Sequence, residues 1–196
     1  TAAFKVLETN PGSWATQNNI NTGRSANAGA GTQPGALIFG GSSTPAATEL
    51  WNGSNWTEVN DLNNGRNTGS GCGASDTSAL AFAGVPTGVW ANTETWNGTN
   101  WTEVNDLNAA RHALQGAGVN NTSALAFGGR GAPSTAATEL YNGTNWTTVN
   151  DLGTGRYDMG SAGTATLALG YGGKTSPSGS PPDANQGLTE KWNGTN

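Results

Sequence analysis

The sequence predicts an all-β domain on three observations: a composition of small and polar residues, an internal repeat, and turn chemistry that cuts each repeat into four short stretches. Of 196 residues, 31 are Gly, 27 Thr, 24 Asn and 14 Ser, whereas Leu, Ile, Val and Phe together number only 26. Helix formers are scarce, and such aliphatic poverty at high net charge would mean disorder. The formal net charge is only −5 and eight Trp are present, which favours a folded β domain with aromatic rings in its core.

The repeat is explicit. Residues 49–62, 94–107 and 139–152 match at nearly every position, and Glu190-Lys-Trp-Asn-Gly-Thr-Asn196 opens a further copy. Taking the second Trp of the motif as marker gives Trp14, Trp56, Trp101 and Trp146, spaced by 42, 45 and 45 residues. An Arg follows each marker by ten residues: Arg24, Arg66, Arg111 and Arg156. The units run at about 24–62, 66–107, 111–152 and 156–196, within a single domain spanning 1–196.

Each unit reads as four strands in order. The first is glycine-rich, as in residues 66–75 and 111–119. The second is a compact apolar run: Ala36-Leu-Ile-Phe39, Ala79-Leu-Ala-Phe82, Ala124-Leu-Ala-Phe127 and residues 167–171. The third carries Glu-x-Trp/Tyr and ends in Asn-Gly, whose tolerance of positive φ suits a tight reversal into the fourth. In that fourth strand, Trp-Thr-Glu-Val-Asn-Asp-Leu, neither alternating face is purely apolar, so pattern alone leaves its burial undecided.

Four strands per period of about 45 residues is the signature of a β-propeller blade, four of which are present. The order of Arg, small strand, apolar strand ending Gly-Gly (Gly40-Gly41, Gly128-Gly129, Gly172-Gly173), Glu-x-Trp/Tyr and a later Trp resembles the kelch repeat. The resemblance covers essentially the whole chain and implies a kelch-like β-propeller. The second unit departs from it with Ala83-Gly84 in place of the glycine pair, so a different turn is expected there. The wording Trp-Asn-Gly-Thr-Asn-Trp-Thr-Glu-Val-Asn-Asp-Leu further resembles tandem kelch-like arrays of marine phages and environmental bacteria.

Propellers avoid open edges by completing the last blade with a strand from the other terminus. Residues 14–20 match a fourth strand without its blade, and the last unit stops where that strand is due, so pairing of 14–20 with the last blade would close a four-bladed ring. A segment of a longer array and a ring completed by a second chain are the alternatives.

The inventory for catalysis is thin. His112 is the single His, stands where the other units carry Ser25, Asn67 and Tyr157, and is read as a variant rather than a base. Cys72, among glycines, reads as a buried inert thiol. The kelch resemblance brings in the copper enzyme galactose oxidase, whose centre needs two histidines; one His with Tyr141, Tyr157 and Tyr171 does not supply them. No metal or other cofactor is expected; calcium on the Asn60-Asp61, Asn105-Asp106 and Asn150-Asp151 pairs is set against a turn-capping role for these side chains. The recurring Arg are expected to bridge carbonyls and the carboxylates of Glu49, Glu94, Glu139 and Glu190, the alternative being an anion-binding ring. The recurring Trp are expected to pack between blades.

Binding is expected where the repeats disagree. From the last aromatic of the second strand to the Glu of the third lie 10, 12, 12 and 19 residues. These connections hold the candidate ligand-binding residues Trp90, Arg130 and Lys174, with Tyr171 at the start of the longest, ahead of a Pro/Ser/Gly stretch at 175–187. The expected function is a non-enzymatic binding or structural module, an extracellular or virion-surface (tail-fibre-like) adhesin recognising a glycan or protein. Alternatives are a structural tile assembling through its open blade edge and a galactose-oxidase-like enzyme. The acidic balance and the lack of a basic run argue against nucleic acid, and no apolar run reaches the roughly 20 residues of a membrane span. A homo-oligomer or a larger surface or virion assembly is a further expected partnership.

Overall fold

The computed structural model describes residues 13–43, 45–85, 90–130, 134–176 and 183–195. Each repeat folds as one antiparallel meander. The first sheet comprises β1 (Ala28–Thr32), β2 (Gly35–Phe39), β3 (Thr48–Trp51) and β4 (Trp56–Val59), in that order. The second comprises β5 (Ser70–Ser75), β6 (Ser78–Phe82), β7 (Thr93–Trp96) and β8 (Trp101–Val104). The third comprises β9 (Gln115–Asn120), β10 (Ser123–Phe127), β11 (Thr138–Tyr141) and β12 (Trp146–Thr148). In the fourth, β13 (Gly160–Gly163), β14 (Ala168–Tyr171) and β17 (Thr189–Trp192) form three strands, and β15 (Lys174–Thr175) and β16 (Ala184–Asn185) pair as a small hairpin inside its long connection. The fold is all-β, with no helix among the described residues and so none long and apolar enough to cross a membrane.

The Asn-Gly reversals form as the sequence predicts. Asn52, Asn97 and Asn142 each accept two backbone amides of their own turn, and the following Gly53, Gly98 and Gly143 sit at φ of 91°, 94° and 92°. The turn thereby sets the register that places Trp51 opposite Trp56, Trp96 opposite Trp101 and Tyr141 opposite Trp146. In the second unit Ala83 and Gly84 adopt φ of 63° and 108°, against 67° and 108° for Gly40 and Gly41. The expected difference in that turn is absent. The left-handed backbone costs an alanine about 1–2 kcal/mol, and the fully buried Ala83 methyl offsets about 0.8 kcal/mol of that.

The sheets pack in sequence, β1 on β5, β5 on β9 and β9 on β13. Alternation along the second strand builds each interface. Leu37 and Phe39 face forward and pack with Ala79, Ala81 and Trp101 of the next sheet, and Leu80 and Phe82 do the same with Ala124, Ala126 and Trp146. The glycines of the inner strands make room for these rings: a Cβ on Gly71 would lie 2.6 Å from Phe39, and one on Gly116 2.6 Å from Phe82. The Trp opening each fourth strand reaches back, with Trp101 edge-on to Phe39 at 4.8 Å and Trp146 to Phe82 at 5.2 Å. Their indole N–H groups donate to the Thr48 and Thr93 hydroxyls of the preceding sheet, each at 3.0 Å. This settles the burial left open by pattern: Trp101 and Trp146 face inward, while the intervening Thr and Glu are exposed.

Closure by residues 14–20 is not formed. Among the described residues the fourth sheet has three strands, and 13–20 carry no strand, with Trp14 fully exposed. The segment is held instead at the opposite end of the row of sheets. The Asn18 amide donates to Ser54 O and Asn55 Oδ1 at 2.9 and 2.7 Å, and the Asn21 backbone N–H donates to Glu49 Oε2 at 2.7 Å. It thus acts as the connection leading into the first sheet, as residues 60–66 do for the second.

Candidate functional site

The recurring charges prove to be the frame of each sheet. Every repeated Arg pairs with the Glu of its own third strand: Arg24 with Glu49, Arg66 with Glu94, Arg111 with Glu139 at 2.5 Å and Arg156 with Glu190 at 2.7 Å. The same guanidinium groups donate to strand-end carbonyls, such as Asn92 O at 2.7 Å from Arg66 and Leu188 O at 2.9 Å from Arg156. The second carboxylate oxygen accepts the backbone N–H three residues before the Arg, at Asn21, Asn63, Asn108 and Gly153. These Arg are bound within the sheets, as the bridging expectation has it, and do not form an anion-binding ring. The Asn-Asp pairs are likewise engaged: Asp61, Asp106 and Asp151 accept the amides of Thr48, Thr93 and Thr138, while Asn60 and Asn105 donate to the next sheet's turn. No group of three metal-ligating side chains occurs among the described residues.

With the frame constant, variation collects on one rim. In each unit the residue after the repeated Arg meets the residue three past the last aromatic of the second strand. Ser25 meets Ser42 through hydroxyl and backbone bonds, and the other pairs are Asn67 with Val85, His112 with Arg130 and Tyr157 with Lys174. One residue further on, Ala26, Thr68, Ala113 and Asp158 all take φ of 50–54°. This kink lets the Thr68, Ala113 and Asp158 amides donate to the Ala26, Thr68 and Ala113 carbonyls at 2.9, 2.7 and 3.0 Å, a relay running across the sheets. Beside it, Asn27, Ser70, Gln115 and the adjoining backbone line a polar cavity of about 270 Å³.

Of the expected site residues, Arg130 and Lys174 lie together on this rim. The Arg130 guanidinium stacks 5.0 Å from the centre of the Tyr157 ring, and Lys174 Nζ reaches Asp158 Oδ2 at 3.3 Å. Trp90 joins them through its backbone, since its carbonyl accepts the Arg111 N–H at 3.3 Å next to His112; the indole is half-buried. Tyr171 does not join them. It occupies the repeat position of Phe39, Phe82 and Phe127 in β14, and its ring lies over Gly160 of its own sheet. Of the 175–187 stretch, residues 177–182 lie outside the described residues.

The structure adds Tyr157, Asp158 and Asp183 to the rim. The hydrogen-bonding approach of Asp183, then burial, raises the Tyr157 phenol, and the same approach lowers the Asp183 carboxyl. Burial first, and Arg130 second, lower the His112 imidazole. The sequence signal for these residues was present, because they occupy positions that differ between units, but only the fold brings the two positions of each pair together. Burial pushes the Cys72 thiol up to about 12. At pH 8 the native protein should therefore not react with a thiol alkylating reagent and should take up one equivalent on unfolding, as read by mass spectrometry.

No family model matches the chain, and no curated protein matches it. Among solved structures it is similar to one titled "Structure of YjhT", with a TM-score of 0.67 and 12% identity over 81% of this chain and 60% of that one. The chain thus spans less than two thirds of that protein's length. At such identity the likeness concerns the fold alone, and it agrees with a propeller-like arrangement of antiparallel blades.

Proposed function

We propose that the protein is a kelch-like propeller module without catalytic activity, displayed on a cell or virion surface, that recognises a glycan through its variable rim. The carrying observation is the division of labour between positions. Arg, Glu, Asn, Asp and Trp at constant positions are consumed by the frame, whereas His112, Arg130, Tyr157 and Lys174 stand at positions free to vary. The rim engages its cations internally, Lys174 with Asp158 and Arg130 over the buried Tyr157 ring, leaving a polar surface that suits hydroxyl-rich ligands. Trp90, half-buried and joined to this rim through its carbonyl, supplies the aromatic side chain.

A glycan array probed with the wild-type chain, Trp90→Ala and Arg130→Ala tests this reading. Each variant should weaken binding by at least ~10-fold while the unfolding midpoint stays unchanged. Undiminished binding by both variants would move the site elsewhere.

A further inference from the structure

The polar cavity beside the amide relay is built at positions that the frame leaves free. Four residues after the repeated Arg stand Ala28, Ser70, Gln115 and Gly160, and the residues just before them are Asn27, Gly69, Leu114 and Met159. Both positions vary between units. The position that follows is nearly constant, Gly29, Gly71, Gly116 and Ser161, because a Cβ on Gly71 or Gly116 would strike the Phe of the preceding sheet. Packing thus fixes the glycine and leaves its two neighbours to set the chemistry of the cavity. Every residue that lines it is uncharged.

Two of its polar side chains have bonding capacity to spare. Ser70 is only 8% exposed, and its hydroxyl has no partner among the described residues. That oxygen is open to the cavity rather than sealed in the core. A buried hydroxyl without a partner is unusual in a folded protein, and here the cavity is the space from which a partner can come. Gln115 is anchored at its oxygen. Ser161 Oγ lies 3.3 Å from Gln115 Oε1 and donates to Gly116 O at 3.0 Å, while the Gln115 Nε2 hydrogens have no partner among the described residues. Around these groups, β1 and β9 both pack on β5, and each of the three is the terminal strand of its sheet. Each therefore adds unpaired backbone N–H and C=O groups along one edge. Leu114 contributes an apolar patch to the same lining.

We infer that this cavity seats a single neutral hexose unit of the glycan. Ser70 Oγ and the Gln115 amide hydrogen-bond its hydroxyls, and Leu114 meets a C–H face of the ring. The inference rests on the glycan reading given above and names the unit that leaves the rim and enters the protein. The cavity holds about 270 Å³, just under the ~300 Å³ at which pockets for drug-sized ligands begin. That is room for one sugar ring and not for a chain. An acidic sugar would bring its charge into a lining that offers no counter-charge, so the cavity selects against it.

Nuclear magnetic resonance titration of the full chain with methyl glucoside, galactoside and mannoside, and with the matching uronosides, tests the inference. At least one neutral glycoside should give saturable shifts, and its uronoside should bind at least ~10-fold more weakly. Ser70→Ala and Gln115→Leu should each weaken the neutral glycoside by ~5-fold or more, the loss of one hydrogen bond, at an unchanged unfolding midpoint. Ser70→Ala removes a single oxygen, so it stays readable even if Gln115→Leu disturbs the fold. Absence of binding by every neutral glycoside overturns the inference, as does binding that both substitutions leave unchanged or a uronoside that binds equally well. The rim reading fails separately. Glycan-array binding that depends on Trp90 but not on Ser70 or Gln115 keeps the rim and overturns the cavity, whereas array binding indifferent to Trp90→Ala and Arg130→Ala but lost on Ser70→Ala removes the rim and keeps the cavity.

Discussion

Glu94→Ala is expected to destabilise the protein by about 3–5 kcal/mol, the cost of leaving a buried partner charge uncompensated. Arg66 and Glu94 have side chains 3% and 0% exposed. Burial pulls the Arg66 guanidinium below its ordinary value, and Glu94 opposes that fall through its charge and hydrogen bond. Without Glu94, Arg66 keeps its carbonyl partners, including Asn92 O, but has no counter-charge in the second sheet's core. The Asn63 and Asn64 amides lose their acceptor as well. Glu190 offers the internal comparison, since it plays the same part for Arg156 but is 29% exposed. Water reaches the Glu190 position but Arg156 is itself fully buried, so Glu190→Ala should cost less than Glu94→Ala, about 3 kcal/mol, the lower end of that range. Urea unfolding with equal m-values would measure both. Equal losses for the two variants would mean that the Arg–Glu frame gains nothing from burial.

Phe82→Ala should cost about 3–5 kcal/mol, as expected when a large buried ring is deleted from a packed core. The Phe82 ring fills the gap over Gly116, meets Trp146 edge-on and is fully buried. Its removal opens a cavity that the rigid inner strands cannot close, because backbone hydrogen bonds fix β5 and β9. Tyr171→Ala, at the same position of the repeat but 43% exposed, should cost less than about 0.5 kcal/mol, the range of exposed surface changes. Thermal or urea unfolding at low concentration checks the pair. If Tyr171→Ala proved as damaging as Phe82→Ala, the β14 face would be covered within the single chain.

Much of the frame was legible in the sequence. The period located all the sheets, the Asn-Gly pairs located the reversals between third and fourth strands, and the repetition of Arg and Glu foretold their pairing. Each of these is a local or periodic signal, set by turn geometry and by residue types that recur at fixed spacing. The candidate site was legible only in part. Unequal connection lengths pointed to Trp90, Arg130 and Lys174, yet the same reasoning swept in Tyr171, whose place in the packing alternation assigns it to the β14 face instead. Tyr157, Asp158 and Asp183 escaped, because their contacts join positions distant in the repeat, Asp158 with Lys174 inside the fourth unit and Tyr157 with Arg130 of the third.

The sequence by itself determined an all-β chain of repeated antiparallel sheets with Trp and Phe between them, because strand alternation and turn chemistry are carried by neighbouring residues. Tertiary structure alone decided which glycines seat a neighbour's ring, that Ala83 takes the same left-handed turn as its glycine counterparts, and that residues 14–20 are fastened to the first sheet rather than the last. Those outcomes depend on the distance between surfaces far apart in the chain, a quantity that spacing and composition do not contain.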